Sequence, residues 1–215
     1  LAVGVGPLLV VAGLRRSFGP VTALAGVDLQ VGWGEAVAVV GPNGSGKSTL
    51  LRCVAGADRP SAGTVELCGQ PLREQRPDVR RQVAALLEDL EFFPDLSVRE
   101  HLALLMCAHG DDGPDQHAAE LLAEAGLAGV ADRVPVGLST GQRQRLALVT
   151  CFARPRILVV LDEPEQRLDR GGRRWLTARL RAEKESGHGV LFATHDRGLV
   201  RAIADRVVDL GVART

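Results

Sequence analysis

The sequence predicts an α/β fold with a largely parallel sheet and an α-helical subdomain inserted in its middle. Three observations predict it. Short apolar runs occupy residues 36–40, 157–161 and 189–193, the pattern of strands buried on both faces. Helix-like stretches alternate with them, as in a sheet built from crossover units. Residues 99–134 are helical in pattern, with no strand between.

Taken in order, residues 8–12 read as a first strand. The apolar stretch of residues 1–14 is followed, not preceded, by Arg15 and Arg16, the wrong order for a secretory signal. The chain starts at Leu1 and not at Met, so we expect sequence to precede it. Val27-Asp28-Leu29-Gln30-Val31 alternates with period two. Residues 35–40 form a buried strand, residues 41–46 a glycine-rich loop and residues 47–55 a helix. A short strand is expected near residues 64–68. The helical stretch beyond it is broken at Gly110-Asp111-Asp112-Gly113-Pro114. Leu102, Leu105 and Met106 repeat at helical spacing, as do Leu121, Leu122 and Ala125. Helix resumes over 140–152, strand over 157–161 and helix over 173–184. The apolar run 189–193 leads into Thr194-His195-Asp196, and a last strand is expected over 206–210.

Composition bounds the function. Of 215 residues, 46% are apolar, enough for a sizeable core. Acidic and basic residues balance at 26 each. That balance argues against a protein that lives on nucleic-acid phosphates. Cys53, Cys68, Cys107 and Cys151 include no C-x-x-C pair and no histidine at metal-ligand spacing, so reduced core thiols are expected. No apolar run reaches the ~18 residues that suggest a membrane span. The only lysines are Lys47 and Lys184, and this arginine bias suggests a GC-rich bacterial genome.

Gly41-Pro42-Asn43-Gly44-Ser45-Gly46-Lys47-Ser48 fits G-x-x-x-x-G-K-[ST]. Glycines let successive backbone N–H groups turn toward phosphate oxygens, and the following helix directs its positive end at them. Lys47 is placed to reach the β- and γ-phosphates, and Ser48 to bind Mg²⁺. The glycine spacing differs from the dinucleotide fingerprint. Asp162 and Glu163 end the run 157–161. One carboxylate there suits Mg²⁺, and its neighbour can polarise an attacking water.

With these motifs the chain resembles the nucleotide-binding domains of ABC ATPases. Leu138-Ser139-Thr140-Gly141-Gln142 resembles their LSGGQ signature loop, followed by Arg143-Gln144-Arg145-Leu146. Asp162-Glu163-Pro164 matches the Walker B acid and catalytic glutamate, Arg167-Leu168-Asp169 the D-loop, and His195 the switch histidine. Phe18 matches the aromatic residue that stacks on adenine, and residues 93–100 the segment after the Q-loop. The resemblance implies a P-loop NTPase core with a mostly parallel sheet, an N-terminal antiparallel β part and an inserted α-helical subdomain. The whole chain, residues 1–215, is then one ATPase domain, with its core at about 1–87 and 154–215 and the helical part at about 88–153. Nucleotide contacts are implied for Phe18, Gly41, Pro42, Asn43, Gly44, Ser45, Gly46, Lys47, Ser48, Thr49, Ser139, Gly141 and Gln142. Catalysis is implied for Glu163, His195, Lys47 and Glu88, and metal binding for Ser48, Asp162 and Glu88.

Two departures matter. Aligning residues 93–100 puts Glu88, not glutamine, at the Q-loop position, because Gln82 lies six residues too early. A carboxylate there either binds Mg²⁺ more tightly or repels the γ-phosphate when Mg²⁺ is absent. Thr140 replaces a signature glycine, and its retained neighbours Ser139 and Gly141 make it tolerable.

The family implies a head-to-tail dimer, with itself or a homologous subunit, sandwiching two Mg·ATP. It further implies a transmembrane permease partner and a peripheral place on the cytoplasmic face of the membrane. With no added C-terminal domain in the sequence, an export-type subunit is expected. The alternatives are an ABC ATPase acting on ribosomes or DNA, and a binding module without catalysis. The first would bring tandem domains, coiled coils or basic tails, and the second is disfavoured by Lys47, Asp162, Glu163 and His195.

Overall fold

The computed structural model describes residues 6–72 and 81–211. Two sheets and a helical layer organise them. Strands β1 (Leu9–Phe18), β2 (Val21–Val31), β4 (Ala62–Leu67) and β5 (Gln70–Pro71) form an antiparallel sheet in the order β2-β1-β4-β5. Strands β3 (Ala36–Val40), β6 (Val83–Leu86), β7 (Leu158–Asp162), β8 (Gly189–Ala193) and β9 (Arg206–Asp209) form a parallel sheet in the order β6-β7-β8-β3-β9. The fold class expected from the sequence is the one observed.

The central strands are apolar throughout because each feeds two cores. Val37 and Val39 of β3, Leu158 and Val160 of β7 and Leu191 of β8 face the antiparallel sheet. There they pack with Leu50 and Leu51 of helix α1 (Lys47–Val54). Their neighbours Ala38, Val159, Leu161, Val190 and Phe192 face the other way. They meet helices α4 (Thr140–Phe152), α5 (Arg170–Glu185) and α6 (Arg197–Ile203) through Leu148, Phe152, Leu176, Leu180 and Ile203. Alternate side chains of a strand point to opposite faces, so a strand covered on both sides has no polar face to alternate with.

A third core lies within the helices. Val98, Leu102 and Met106 of helix α2 (Val98–Ala108) pack on Ala118 and Leu122 of helix α3 (Pro114–Glu124) and on Leu146 and Val149 of α4. Ser97 and Glu100 cap α2 reciprocally: Glu100 N–H donates to Ser97 Oγ at 3.3 Å, and Ser97 N–H donates to Glu100 Oε2 at 2.8 Å. Among the described residues, no helix is long and apolar enough to cross a membrane.

Several elements differ from the sequence expectation: β2 begins six residues before residue 27, β5 carried no expectation, and three others differ for identifiable reasons. Strand β1 extends six residues beyond residue 12, because pairing continues past a bulge between Val11 and Leu14. Gly13 sits there at φ +57°, and a Cβ on the facing Gly63 would lie 2.4 Å from the Gly13 carbonyl oxygen. The bulge shifts the alternation, so the sequence pattern ends where the ladder does not. Strand β6 has only Val-Ala-Ala-Leu to signal it. Helix α6 is seven residues long and includes Gly198; Asp196 starts it by accepting from the N–H groups of Gly198 and Leu199 at 2.7 and 3.1 Å.

Candidate functional site

The parallel strands aim their C-terminal ends at one edge of the sheet, the usual ligand edge of an α/β fold. Strand β3 delivers the glycine loop there, β7 delivers Asp162 and Glu163, and β8 delivers Thr194 and His195. A cleft of about 500 Å³ opens at this edge. Asn43, Gly44, Gly46, Lys47, Ser48 and Thr49 line one side. Asp162, Glu163, Glu88 and Asp89 line the other, with Gln144, Gln166 and Arg167.

The loop has the shape its glycines allow. Gly46 lies at φ +94°, where a Cβ would fall 2.5 Å from the Ala23 carbonyl oxygen, so only glycine fits. Helix α1 begins immediately after it, and the N–H groups of its first turn have no partner within the helix. Lys47 is 7% exposed and its Nζ donates to the carbonyls of Gly41 and Pro42 at 3.0 and 3.1 Å. Ser45 Oγ is buried and has no hydrogen-bond partner.

Asp162 and Ser48 both line the cleft, with the Ser48 hydroxyl near enough to favour the Asp162 carboxylate. Burial pushes the Asp162 carboxyl above its ordinary range, Ser48 and Lys47 pull it back, and the Glu163 charge adds to the rise. Glu163 turns out of β7 at φ +46° and donates its N–H to the Ala193 carbonyl at 2.9 Å. Its Oε1 lies 3.3 Å from His195 Nε2, and its Oε2 accepts from Gln166 Nε2 at 2.7 Å. Glu165, 5% exposed, lies beneath and accepts from the Thr194 hydroxyl. Burial raises its carboxyl, against the Thr194 bond. Glu88 lines the cleft mouth, 3.7 Å from Arg52.

The remaining expected residues lie elsewhere. Phe18 ends β1 outside the cleft lining, 47% exposed, with the Arg16 guanidinium 4.3 Å from its ring centroid. Ser139, Gly141 and Gln142 start α4, also outside the lining. Gln142 closes a capping box: its N–H donates to Ser139 Oγ at 3.2 Å, while Ser139 N–H donates to Gln142 Oε1 at 2.9 Å. The S-x-x-Q spacing signals this cap, which occupies the Gln142 side chain. Asp169 caps α5 by accepting from Gly172 N–H at 2.7 Å and also pairs with Arg145. Gln166, Arg167 and Asp89 carry no sequence signal for the cleft. They reach it because Arg167, at φ +62°, turns the chain back and pairs with Asp89 at 2.6 Å.

A parallel sheet that sets this loop against two strand-end acids belongs to a P-loop nucleotide-binding domain. More narrowly, a family model described as ABC transporter matches residues 24–166, and the chain belongs to that family as an ATP-binding domain. It is 42% identical over 201 residues to the Fe(3+) ions import ATP-binding protein FbpC of Streptomyces avermitilis, covering 92% of this chain and 58% of that protein. It is 36% identical over 213 residues to the sulfate/thiosulfate import ATP-binding protein CysA 2 of Chromobacterium violaceum, covering 98% of this chain and 58% of that one. The chain thus spans 58% of the length of these curated relatives. A solved dimeric ATP-binding cassette in a post-hydrolysis state, bound to ADP and Pi, matches with a TM-score of 0.84 at 26% identity. That match covers 96% of this chain and 97% of the other. Both named relatives are import proteins, against the export direction expected from the sequence. That expectation rested on length, and relatives that share this segment and extend beyond it remove its basis.

Proposed function

We propose that this chain is the ATP-hydrolysing part of a bacterial ABC importer. It acts as a head-to-tail dimer on the cytoplasmic face of the membrane, coupled to a separate transmembrane permease subunit. One ATPase domain carries the activity, with its core at about 1–87 and 154–215 and the helical lobe at about 88–153. The observation that carries the reading is the convergence of Lys47, Ser48, Asp162 and Glu163 on one cleft, with His195 at 3.3 Å from Glu163. The import direction follows the names of the relatives.

In this reading the loop amides and Lys47 bind the β- and γ-phosphates. Phe18 offers its exposed ring to adenine. Ser48 and Asp162, both lining the cleft, supply the hard oxygen donors that suit Mg²⁺. Among the described residues, no group of three or more His, Cys, Asp or Glu is placed to hold a metal ion by itself. Such a sparse set fits an ion whose shell is completed by phosphate oxygens and water. When bound, Mg²⁺ supplies positive charge to the β- and γ-oxygens. Glu163 takes a proton from the attacking water while the water oxygen bonds to the γ-phosphorus. The bond from that phosphorus to the β–γ bridging oxygen breaks, and its electron pair leaves with ADP. His195 stabilises charge on the γ-phosphate. Ser139 and Gly141 do not line their own cleft, which supports their use on the nucleotide of the opposite subunit.

Glu88 adds a carboxylate at the cleft mouth. Two unit charges about 4 Å apart in high dielectric interact by about 1 kcal/mol, and a carboxylate with a divalent ion by about 2 kcal/mol. Glu88→Gln therefore raises the Mg²⁺ concentration for half-maximal ATPase rate up to roughly thirtyfold. An unchanged Mg²⁺ titration would remove Glu88 from metal binding.

Copurification tests the wider reading. The full-length protein, purified in mild detergent, brings down an integral membrane protein at near-equal stoichiometry. Vesicles carrying both move solute from the face opposite the ATPase toward the ATPase side. A ribosomal or DNA-bound partner would move the machine off the membrane, and transport away from the ATPase side would reverse the direction.

A further inference from the structure

The turn after β7 is unusual for the residues it uses. Glu163 and Arg167 both have left-handed backbones, at φ +46° and +62°, although neither is glycine. Such conformations persist only where the surroundings fix them. Here they are fixed from three directions. Gln144 Nε2 donates to the Pro164 carbonyl at 3.3 Å. Arg167 grips Asp89 with two bonds, at 2.6 and 3.2 Å. Buried Glu165 accepts from Thr194 below.

Within this turn, Gln166 N–H donates to the Glu163 carbonyl at 3.1 Å. The side chain then folds back on the same residue, and Gln166 Nε2 lies 2.7 Å from Glu163 Oε2. A carboxylate only accepts, so the amide nitrogen is the atom that faces it. The other oxygen, Oε1, is left on the His195 side.

We propose that Gln166 is a positioning residue for ATP hydrolysis: its amide holds Glu163 Oε2 so that Oε1 is presented to the attacking water. This rests on the reading of Glu163 as the base. A glutamate without that tether samples several side-chain rotamers, and only some aim an oxygen at the water. The amide touches the base and not the nucleotide, so its loss slows turnover without weakening ATP binding.

Steady-state phosphate release from Mg·ATP tests this on the full-length protein. Four variants are compared: Gln166→Ala, Gln166→Glu, Glu163→Gln and the double variant Glu163→Gln/Gln166→Ala. Gln166→Ala is expected to lower kcat about tenfold, with KM for ATP within about twofold of the parent. Gln166→Glu keeps the shape but replaces the donor with an acceptor, and it is expected to be at least as slow as Gln166→Ala. In the Glu163→Gln background, adding Gln166→Ala changes the residual rate less than about twofold, because the tethered base is already gone. A parental kcat in Gln166→Ala, or a rate restored by Gln166→Glu, overturns the proposal while a slow Glu163→Gln leaves the base assignment intact. Parental turnover in Glu163→Gln overturns both.

Discussion

Glu163→Gln is expected to bind ATP with parental affinity and to hydrolyse it about 10²–10⁴ times more slowly, the usual cost of losing a general base. That loss corresponds to about 2.7–5.5 kcal/mol of transition-state stabilisation. The substitution is nearly isosteric, so the left-handed turn and the N–H bond to Ala193 are kept. What disappears is the proton acceptor. Lys47, Ser48 and the loop amides are untouched, so nucleotide affinity is retained. In the proposed head-to-tail dimer the bound Mg·ATP bridges the two subunits and hydrolysis removes that bridge, so the variant accumulates as an ATP-bound dimer. Phosphate release together with light scattering, with and without Mg·ATP, reads both effects. Turnover within about threefold of the parent would remove Glu163 from the role of base.

The phosphate loop, the Asp162–Glu163 pair and His195 were legible because each sits at the end of an apolar run. In a parallel sheet those runs end on one edge, so finding the strands also located the cleft. The central strands were legible because their two cores remove every polar residue from β3, β7 and β8 apart from the acid that ends β7. The far half of β1 was not, because a bulge at Gly13 breaks the period while pairing continues. Gln166 was not legible either. Its reach depends on left-handed backbones at Glu163 and Arg167, residue types that seldom adopt them. Nor does any spacing connect Arg167 with Asp89, 78 residues earlier. For Gln142 the sequence carried a second signal, the S-x-x-Q cap, and the structure uses the side chain for that cap.

Away from the cleft, the largest stability effect is expected at Glu183. It lies near the end of α5 and is 2% exposed. Arg156 Nε donates to its Oε2 at 2.8 Å, Arg179 Nε to its Oε1 at 3.0 Å, and His188 Nδ1 lies 2.7 Å from Oε2. These partners come from the entry to β7, from α5 itself and from the entry to β8, so one carboxylate fastens a helix to two core strands. Arg179 also reaches Glu124 of α3 at 3.2 Å, which extends the network into the helical layer. Burial alone would push the Glu183 carboxyl up. The hydrogen bond and charge of Arg156, with His188 and Arg179, outweigh it and hold the group at about 2, against 4.5 ordinarily.

Replacing Glu183 with Ala leaves Arg156 charged and mostly buried without its counter-ion and Arg179 with Glu124 alone, which costs about 3–5 kcal/mol. For a domain of this size the unfolding midpoint falls by roughly 6–20 °C. The depressed value also fixes a pH window. The native state favours the ionised carboxylate, so its contribution is complete above about 4.5 and is lost as pH falls toward about 2. The stability gap between the parent and Glu183→Ala should therefore be constant from neutral pH to about 5 and shrink steadily below that. Denaturant unfolding of both proteins at a series of pH values measures it. A gap that stays constant to pH 3 would mean that the loss comes from packing, not from the paired charge.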